Sequence, residues 1–242
     1  MTLSSSKVKW RWFPLARISA VAPVGVAQSD INGFMEVYRE AFGGEPYNET
    51  YTDEQLREIW DEHMANGRII LARDEDSNKV VGFGCSLPLH RAHQDVQDFL
   101  AECIADGELL PEDFTFQNTW YMSELGVLES HRNRGIAYDL VRNRMFDVSH
   151  SNKRYFIMRT AADKPSNSRH LYEQLGAKAV DRLHDVSETD QVQINQAESI
   201  LRVYLYGVCN EAIARLDDKI KSEPLPEPLE DTDEDDDKDT VA

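Results

Sequence analysis

No stretch of the chain approaches the roughly 20 consecutive apolar residues that a membrane-crossing helix needs, and the first residues lack the apolar block of a secretory signal. These absences make the cytoplasm the expected location. Cysteine is scarce. Cys85, Cys103 and Cys209 are too few and too widely spaced for a disulfide framework, and their spacing does not fit a zinc site; they read as buried free thiols. The seven histidines form no metal-ligand spacing, so no metal is expected. Positive charge is also short: 26 Lys and Arg face 44 Asp and Glu, a formal net charge of -18. That balance disfavours a nucleic-acid partner and contact with anionic membranes. The Walker lysine motif and the three-glycine dinucleotide fingerprint are missing too.

What remains is ample for a folded enzyme-sized body. The 242 residues are 41% apolar and 29% charged, which fits one elaborated domain with attachments. Residues 1–17 form a basic, aromatic leader with Lys7, Trp10, Arg11, Trp12 and Phe13, expected to pack as an edge element. From Glu223 onward ten acidic residues face only Lys238, and prolines stand at 224, 226 and 228. Such a segment buries too little apolar surface to offset its ordering entropy. Residues 223–242 therefore read as a disordered acidic tail, solvated or recruiting a protein partner. The body stays acidic without the tail, which is compatible with attracting a cationic amine.

Between these ends the pattern is mixed. Residues 20–27 read as a first strand, near an edge because of Pro23. Ser29 is placed to cap a helix whose Ile31, Phe34, Met35, Tyr38 and Phe42 recur at helical spacing, and Gly43-Gly44 ends it. Thr52 and Gln55 form a capping box for a second helix with Leu56, Ile59 and Trp60 facing inward. Residues 68–72 and 79–85 read as strands around a polar turn at 74–78. Residues 88–118 read as an inserted flap that carries a helix with Val96, Phe99, Leu100 and Cys103 on one face. Residues 120–127 form a central strand. The following helix, 136–148, has Ala137, Leu140, Val141, Met145 and Val148 on its apolar face. A strand at 155–158, a short helix at 167–175 and a strand at 177–182 follow. A polar excursion at 187–197, a strand at 200–206 and a helix at 209–222 complete the reading. The sum is an α/β fold with a mixed sheet and helices packed against it.

The sharpest local signal is a strand, Tyr121 to Val127, that runs into Arg132-Asn133-Arg134-Gly135-Ile136-Ala137. A basic, glycine-containing turn opening a helix presents amides without intrahelical acceptors, and the helix dipole adds positive potential, so the turn suits phosphate oxygens. Gly135 lets the backbone approach a pyrophosphate. Arg132 and Arg134 add charge. His131 beside the turn is read as a local capping residue rather than a ligand contact.

The pattern Leu125-x-Val127, a four-residue gap, then Arg132-x-x-Gly135-x-Ala137 resembles the acyl-coenzyme A motif of the GNAT superfamily of N-acetyltransferases, with alanine at the usual final glycine. Leu171-Tyr172-Glu173-Gln174-Leu175-Gly176-Ala177 resembles a second segment of that family, with alanine in place of phenylalanine. The resemblance covers residues 18–208 and implies a strongly twisted mixed β-sheet with helices on both faces. It also implies acetyl-coenzyme A as donor, held by the backbone of Leu125 and Val127 and by the turn. Asn167 is offset from the family's asparagine, which stands where this chain has Pro165. The resemblance further implies direct acetyl transfer to a primary amine. A small or polyamine-like acceptor is preferred over a peptide or protein, and a non-catalytic coenzyme A-binding scaffold is the rival reading. Glu124, immediately before Leu-x-Val, becomes the candidate base or a binder of the cationic amine. Tyr172 becomes the candidate proton donor to the departing sulfur. Ser123 reads as a residue that orients substrate or water, with no histidine beside it.

Overall fold

Apolar residues at helical spacing build the first two helices. The computed structural model describes residues 18–22, 27–45, 47–162, 167–186, 193–194 and 201–222, with backbone only for Ser149, Asn167, 193–194 and 219–222. The leader, the tail, Pro23, Pro165 and most of the 187–197 excursion lie outside these residues. Helix α1 (Gln28–Phe42) buries Ile31, Phe34, Met35, Tyr38 and Phe42, and Gly43 takes its C-cap. The N-cap is Ala27 rather than Ser29, because Ser29 already sits in the first turn, where its hydroxyl reaches Asp30 at 3.4 Å. Helix α2 (Asp53–Asn66) starts on the expected capping box. The Gln55 amide donates to Thr52 Oγ1 at 3.2 Å, and the Thr52 amide to Gln55 Oε1 at 2.9 Å.

The remaining elements assemble around one seven-stranded sheet. Its strands are β1 (Ile18–Val21), β3 (Arg68–Asp74), β4 (Val80–Pro88), β5 (Thr119–Val127), β6 (Tyr155–Ala161), β7 (Lys178–Asp185) and β9 (Leu201–Val208), in the order β1-β3-β4-β5-β6-β9-β7. A small second sheet pairs β2 (Glu49–Thr50) with β8 (Gln193–Ile194). The first strand is thus an edge strand, but it begins earlier than expected and ends where Val21 pairs with Leu71. Helices α1 and α2 cover one face, with Phe34, Tyr38, Leu56, Trp60 and Phe83 at the centre of that core. Helix α4 (Ile136–His150) packs on the other face, and α6 (Cys209–Ser222) packs on α4 and β9. Helix α5 (Asn167–Gln174) lies against β9. Ile136, not Ala137, is the first buried residue of α4. Ala137 instead faces a cavity.

The segment between β4 and β5 is anchored. Its helix α3 (Gln94–Asp106) buries Val96, Phe99, Leu100 and Cys103 in the largest core cluster, joined by Leu89, Leu110 and Phe114. Phe99 stacks on His184 and Tyr204 at centroid distances of 4.6 and 4.8 Å. All three cysteines are free and buried.

Two irregularities in β5 shape the site. Its parallel ladder with β6 runs from Thr119↔Tyr155 to Tyr121↔Ile157, although β5 continues to Val127 and β6 to Ala161. The two strands therefore part, and a gap opens beyond Met122. On the other side, the β4–β5 register steps between Cys85↔Glu124 and Leu87↔Tyr121, which inserts one extra residue into β5. Such a bulge re-aims neighbouring side chains.

Candidate functional site

The gap beside β5 is a cleft with three connected cavities. The first, about 490 Å³, is lined by Leu125, Gly126 and Val127 of β5, by the turn Arg132, Asn133, Gly135, Ile136 and Ala137, and by Ser168 and Leu171 of α5. A small inner cavity of about 70 Å³ shares Phe42, Tyr47, Leu125 and Ser168 with it and adds Ser123, Glu124, Arg159 and Tyr172. The third, about 610 Å³, meets the inner cavity at Ser123, Glu124 and Arg159 and opens toward α2 and the start of α3. Glu124 thus stands at the junction between a groove ending on the glycine turn and a roomy chamber on the opposite side.

The turn has the geometry its sequence implies. Asn133 (φ 61°) and Gly135 (φ 81°) are both left-handed, and alternating left-handed residues let successive amides converge. The first intrahelical bond of α4 runs from the Asp139 amide to the Gly135 carbonyl at 3.1 Å, so the amides of Ile136 and Ala137 have no acceptor within the helix. A Cβ added to Gly135 would meet nothing within 4 Å and would project into open space. Arg132 and Arg134 are exposed and fold back on the turn, Arg132 Nε to the Val127 carbonyl at 3.2 Å and Arg134 Nη2 to the Ser130 carbonyl at 3.1 Å. Arg132 lines the groove. His131 pairs with Asp74 at 3.8 Å and with Ser130 at 2.8 Å while bordering the groove.

Backbone direction decides what β5 offers. The Leu128 amide bonds to the Val81 carbonyl of β4 at 3.0 Å. Alternation by two then turns the polar backbone groups of Leu125 and Val127 away from β4, into the gap. Their side chains pack toward Ile136 and Leu140, whereas Gly126 abuts Phe83 and Ala41 on the opposite face.

The bulge places Ser123 and Glu124 at the same cavity junction despite their adjacency. Burial pushes the Glu124 carboxyl up to about 8, with the Arg159 cation opposing the shift and the Glu49 carboxylate adding to it. Contrary to the sequence reading, Ser123 does have a histidine beside it. His63 Nδ1–H donates to the Ile59 carbonyl at 2.7 Å, so Nε2 is the acceptor, and the Ser123 hydroxyl donates to it at 2.8 Å. Burial lowers the His63 pKa and keeps the ring neutral. The spacing Leu56, Trp60, His63 puts this histidine on the inward face of α2, a signal present in the sequence. The Tyr121 hydroxyl, buried at the wall of the large chamber, has no hydrogen-bond partner among the described residues.

Tyr172 is buried at 1% exposure, and its hydroxyl oxygen accepts from Arg144 Nη2 at 2.9 Å. Burial raises its pKa, so it stays protonated through the neutral range. Asn167 opens α5, and its side chain lies outside the described part of the structure. Among the described residues, no three His, Cys, Asp or Glu side chains gather as metal ligands, and no helix is long and apolar enough to cross a membrane.

Comparison with known proteins places this cleft in context. The model of the Acetyltransferase (GNAT) family matches residues 31–177. No curated protein sequence matches the chain at a significant level. Among solved structures, an N-acetyltransferase from Staphylococcus aureus Mu50 superposes with a TM-score of 0.56 at 13% identity, covering 80% of this chain and 99% of that one. The C-terminal condensation domain of Ebony in complex with beta-alanyl-dopamine gives 0.54 at 11% identity, with 80% and 99% covered. The NatC complex bound to Gag peptide and CoA gives 0.51 at 13%, with 78% and 96% covered. At these identities the structures share the fold.

Proposed function

The chain belongs to the GNAT family of acetyltransferases, and we propose that it moves an acetyl group from acetyl-coenzyme A directly to the primary amine of a small, cationic acceptor. One observation carries the choice of acceptor: the chamber of about 610 Å³ beyond Glu124 is lined by Glu58, Glu62, Asp95 and Glu124 against Arg91 and Arg159. Asp95 is already paired with Arg159 at 2.9 Å. Glu58 and Glu62, one turn apart on α2, are left to meet a second positive charge on the acceptor.

In this reading the turn from Arg132 to Ala137 holds the diphosphate of the donor, with amides that need no reorganisation to do so. Leu125 and Val127 align the pantetheine arm through their backbone groups, and Asn167 at the start of α5 is the further residue assigned to the donor. Donor and acceptor then meet at the inner cavity, where positioning supplies much of the rate. Glu124 accepts the amine proton. Ser123, its hydroxyl proton engaged by His63, offers oxygen lone pairs that orient the incoming nitrogen. Tyr172 returns a proton to the departing sulfur.

Residues 18–208 form the catalytic unit, with 88–118 as an insertion that walls the acceptor chamber. The tail, 223–242, is outside the catalysis. Purified protein mixed with acetyl-coenzyme A is expected to release free thiol only when an amine is added, with diamines ahead of monoamines and peptides. Deleting 223–242 is expected to leave that turnover within about twofold, because surface segments remote from the site change little. Inactivity across a broad amine and peptide panel overturns the reading, and a clear preference for peptides overturns the choice of acceptor.

A further inference from the structure

A guanidinium sealed from water is costly unless its charge and donors are matched. Arg144 on α4 is 0% exposed. Among the described residues no carboxylate forms an ion pair with it. Its partners are instead oxygens of the site. Nη1 donates to the carbonyls of Cys85 and Glu124 at 2.7 and 2.9 Å, the pair that flanks the bulge, and Nη2 donates to the Tyr172 hydroxyl. Nε has no hydrogen-bond partner among the described residues. Glycine at 84 makes the room: a Cβ there would lie 2.7 Å from Arg144 Nε and 3.0 Å from Cζ.

We propose that Arg144 is a positioning residue for the proton-donating step, acting through Tyr172. The inference rests on the reading of Tyr172 as the donor to sulfur. A phenol oxygen that accepts from Arg144 keeps its own proton free for another direction, and Tyr172 is among the residues that line the inner cavity. As the thioester C–S bond breaks, the Tyr172 O–H bond breaks with it. The proton goes to the thiolate sulfur and the electron pair stays on the phenolate oxygen. Arg144 then faces a full negative charge at hydrogen-bond distance, and its cation finds the partner it lacks in the resting state. Reprotonation comes from the proton that the amine gave up to Glu124. The same side chain holds the Glu124 carbonyl, so donor and acceptor of protons hang from one guanidinium. Burial alone pushes the Tyr172 pKa upward and Arg144 pulls it down, which is the direction an acid needs.

A purely structural role, in which Arg144 only satisfies the bulge carbonyls, makes a different prediction. The test is a double-mutant cycle on kcat with acetyl-coenzyme A and the fastest amine of the panel, using wild type, Arg144→Met, Tyr172→Phe and the double variant. Coenzyme A titrations and thermal melts accompany it. Each single change is expected to lower kcat by roughly 10²-fold, the usual scale for losing an acid. In the Tyr172→Phe background, Arg144→Met is expected to cost less than about threefold more, since residues acting as one unit are not additive. Equal losses in both backgrounds overturn the proposal. If Tyr172→Phe alone leaves kcat unchanged, the donor assignment fails first and the proposal falls with it. Should Arg144→Met not fold, Gly84→Ala takes its place in the cycle, because its methyl displaces the guanidinium without removing the charge.

Discussion

Glu124 is the residue on which the pH behaviour turns. With its carboxyl held near 8 in the fold, ionisation is incomplete at neutrality and grows with pH, so kcat is expected to rise through an apparent pKa near 8 and then level. Glu124→Gln is predicted to remove that limb and to lower kcat by about 10²-fold, with coenzyme A affinity retained; an unchanged pH profile rules out the base role. Stability moves the opposite way. The folded pKa lies above the ordinary 4.5, so the neutral carboxyl favours the fold at low pH. That advantage is lost as pH rises from about 4.5 through 8, and Glu124→Gln should melt higher than wild type at pH 8 but not at pH 4. Glu124 and Tyr172, singled out in the sequence because they stand beside recognisable motifs, both line the inner cavity. His63 and Arg144 were not singled out. Both occupy inward positions of amphipathic helices, Leu56-Trp60-His63 and Leu140-Arg144-Val148, where the apolar pattern draws attention to their neighbours. A polar residue on such a face is the mark that identifies them.

At the scale of elements, long periodic segments were readable and their junctions less so. The capping box at Thr52 and the buried face of α1 follow from local chemistry, and both stand as expected. The start of α1 lies two residues earlier than a serine cap at position 29 implies, with Ala27 at the N-cap. The bulge in β5 and its separation from β6 left no local trace, since both depend on what β4 and β6 do elsewhere in the chain. They shape the cleft, because they bring Ser123 and Glu124 to one junction and turn the backbone groups of Leu125 and Val127 away from β4. Helix α2 walls the cavity of about 610 Å³, and its start is held by Thr52. Thr52→Ala is predicted to cost about 1 kcal/mol of stability, seen as a lower denaturant midpoint. Coenzyme A binding should be unaffected, because α2 does not border the groove on the glycine turn. A loss of coenzyme A affinity in that variant would show that α2 and the turn are coupled.

For the whole molecule, the mixed sheet with helices packed against it was visible in the order of periodicities, whereas the covering of both its faces was expected only from the family resemblance. That the insertion belongs to the main core was not visible, because Phe99 finds His184 and Tyr204 more than 80 positions away in sequence. The proposed acetyl transfer depends on a helix start that grips a diphosphate at the end of a groove leading to Glu124. Calorimetric titration of coenzyme A into wild type and Gly135→Glu, with both proteins shown folded by circular dichroism, tests it most directly. Saturable binding to wild type and a loss of at least about tenfold in the variant are expected, because the new side chain enters the open space before amides that lack an intrahelical acceptor and its charge repels phosphate. Equal affinity in the two proteins, or no binding to wild type, would contradict it.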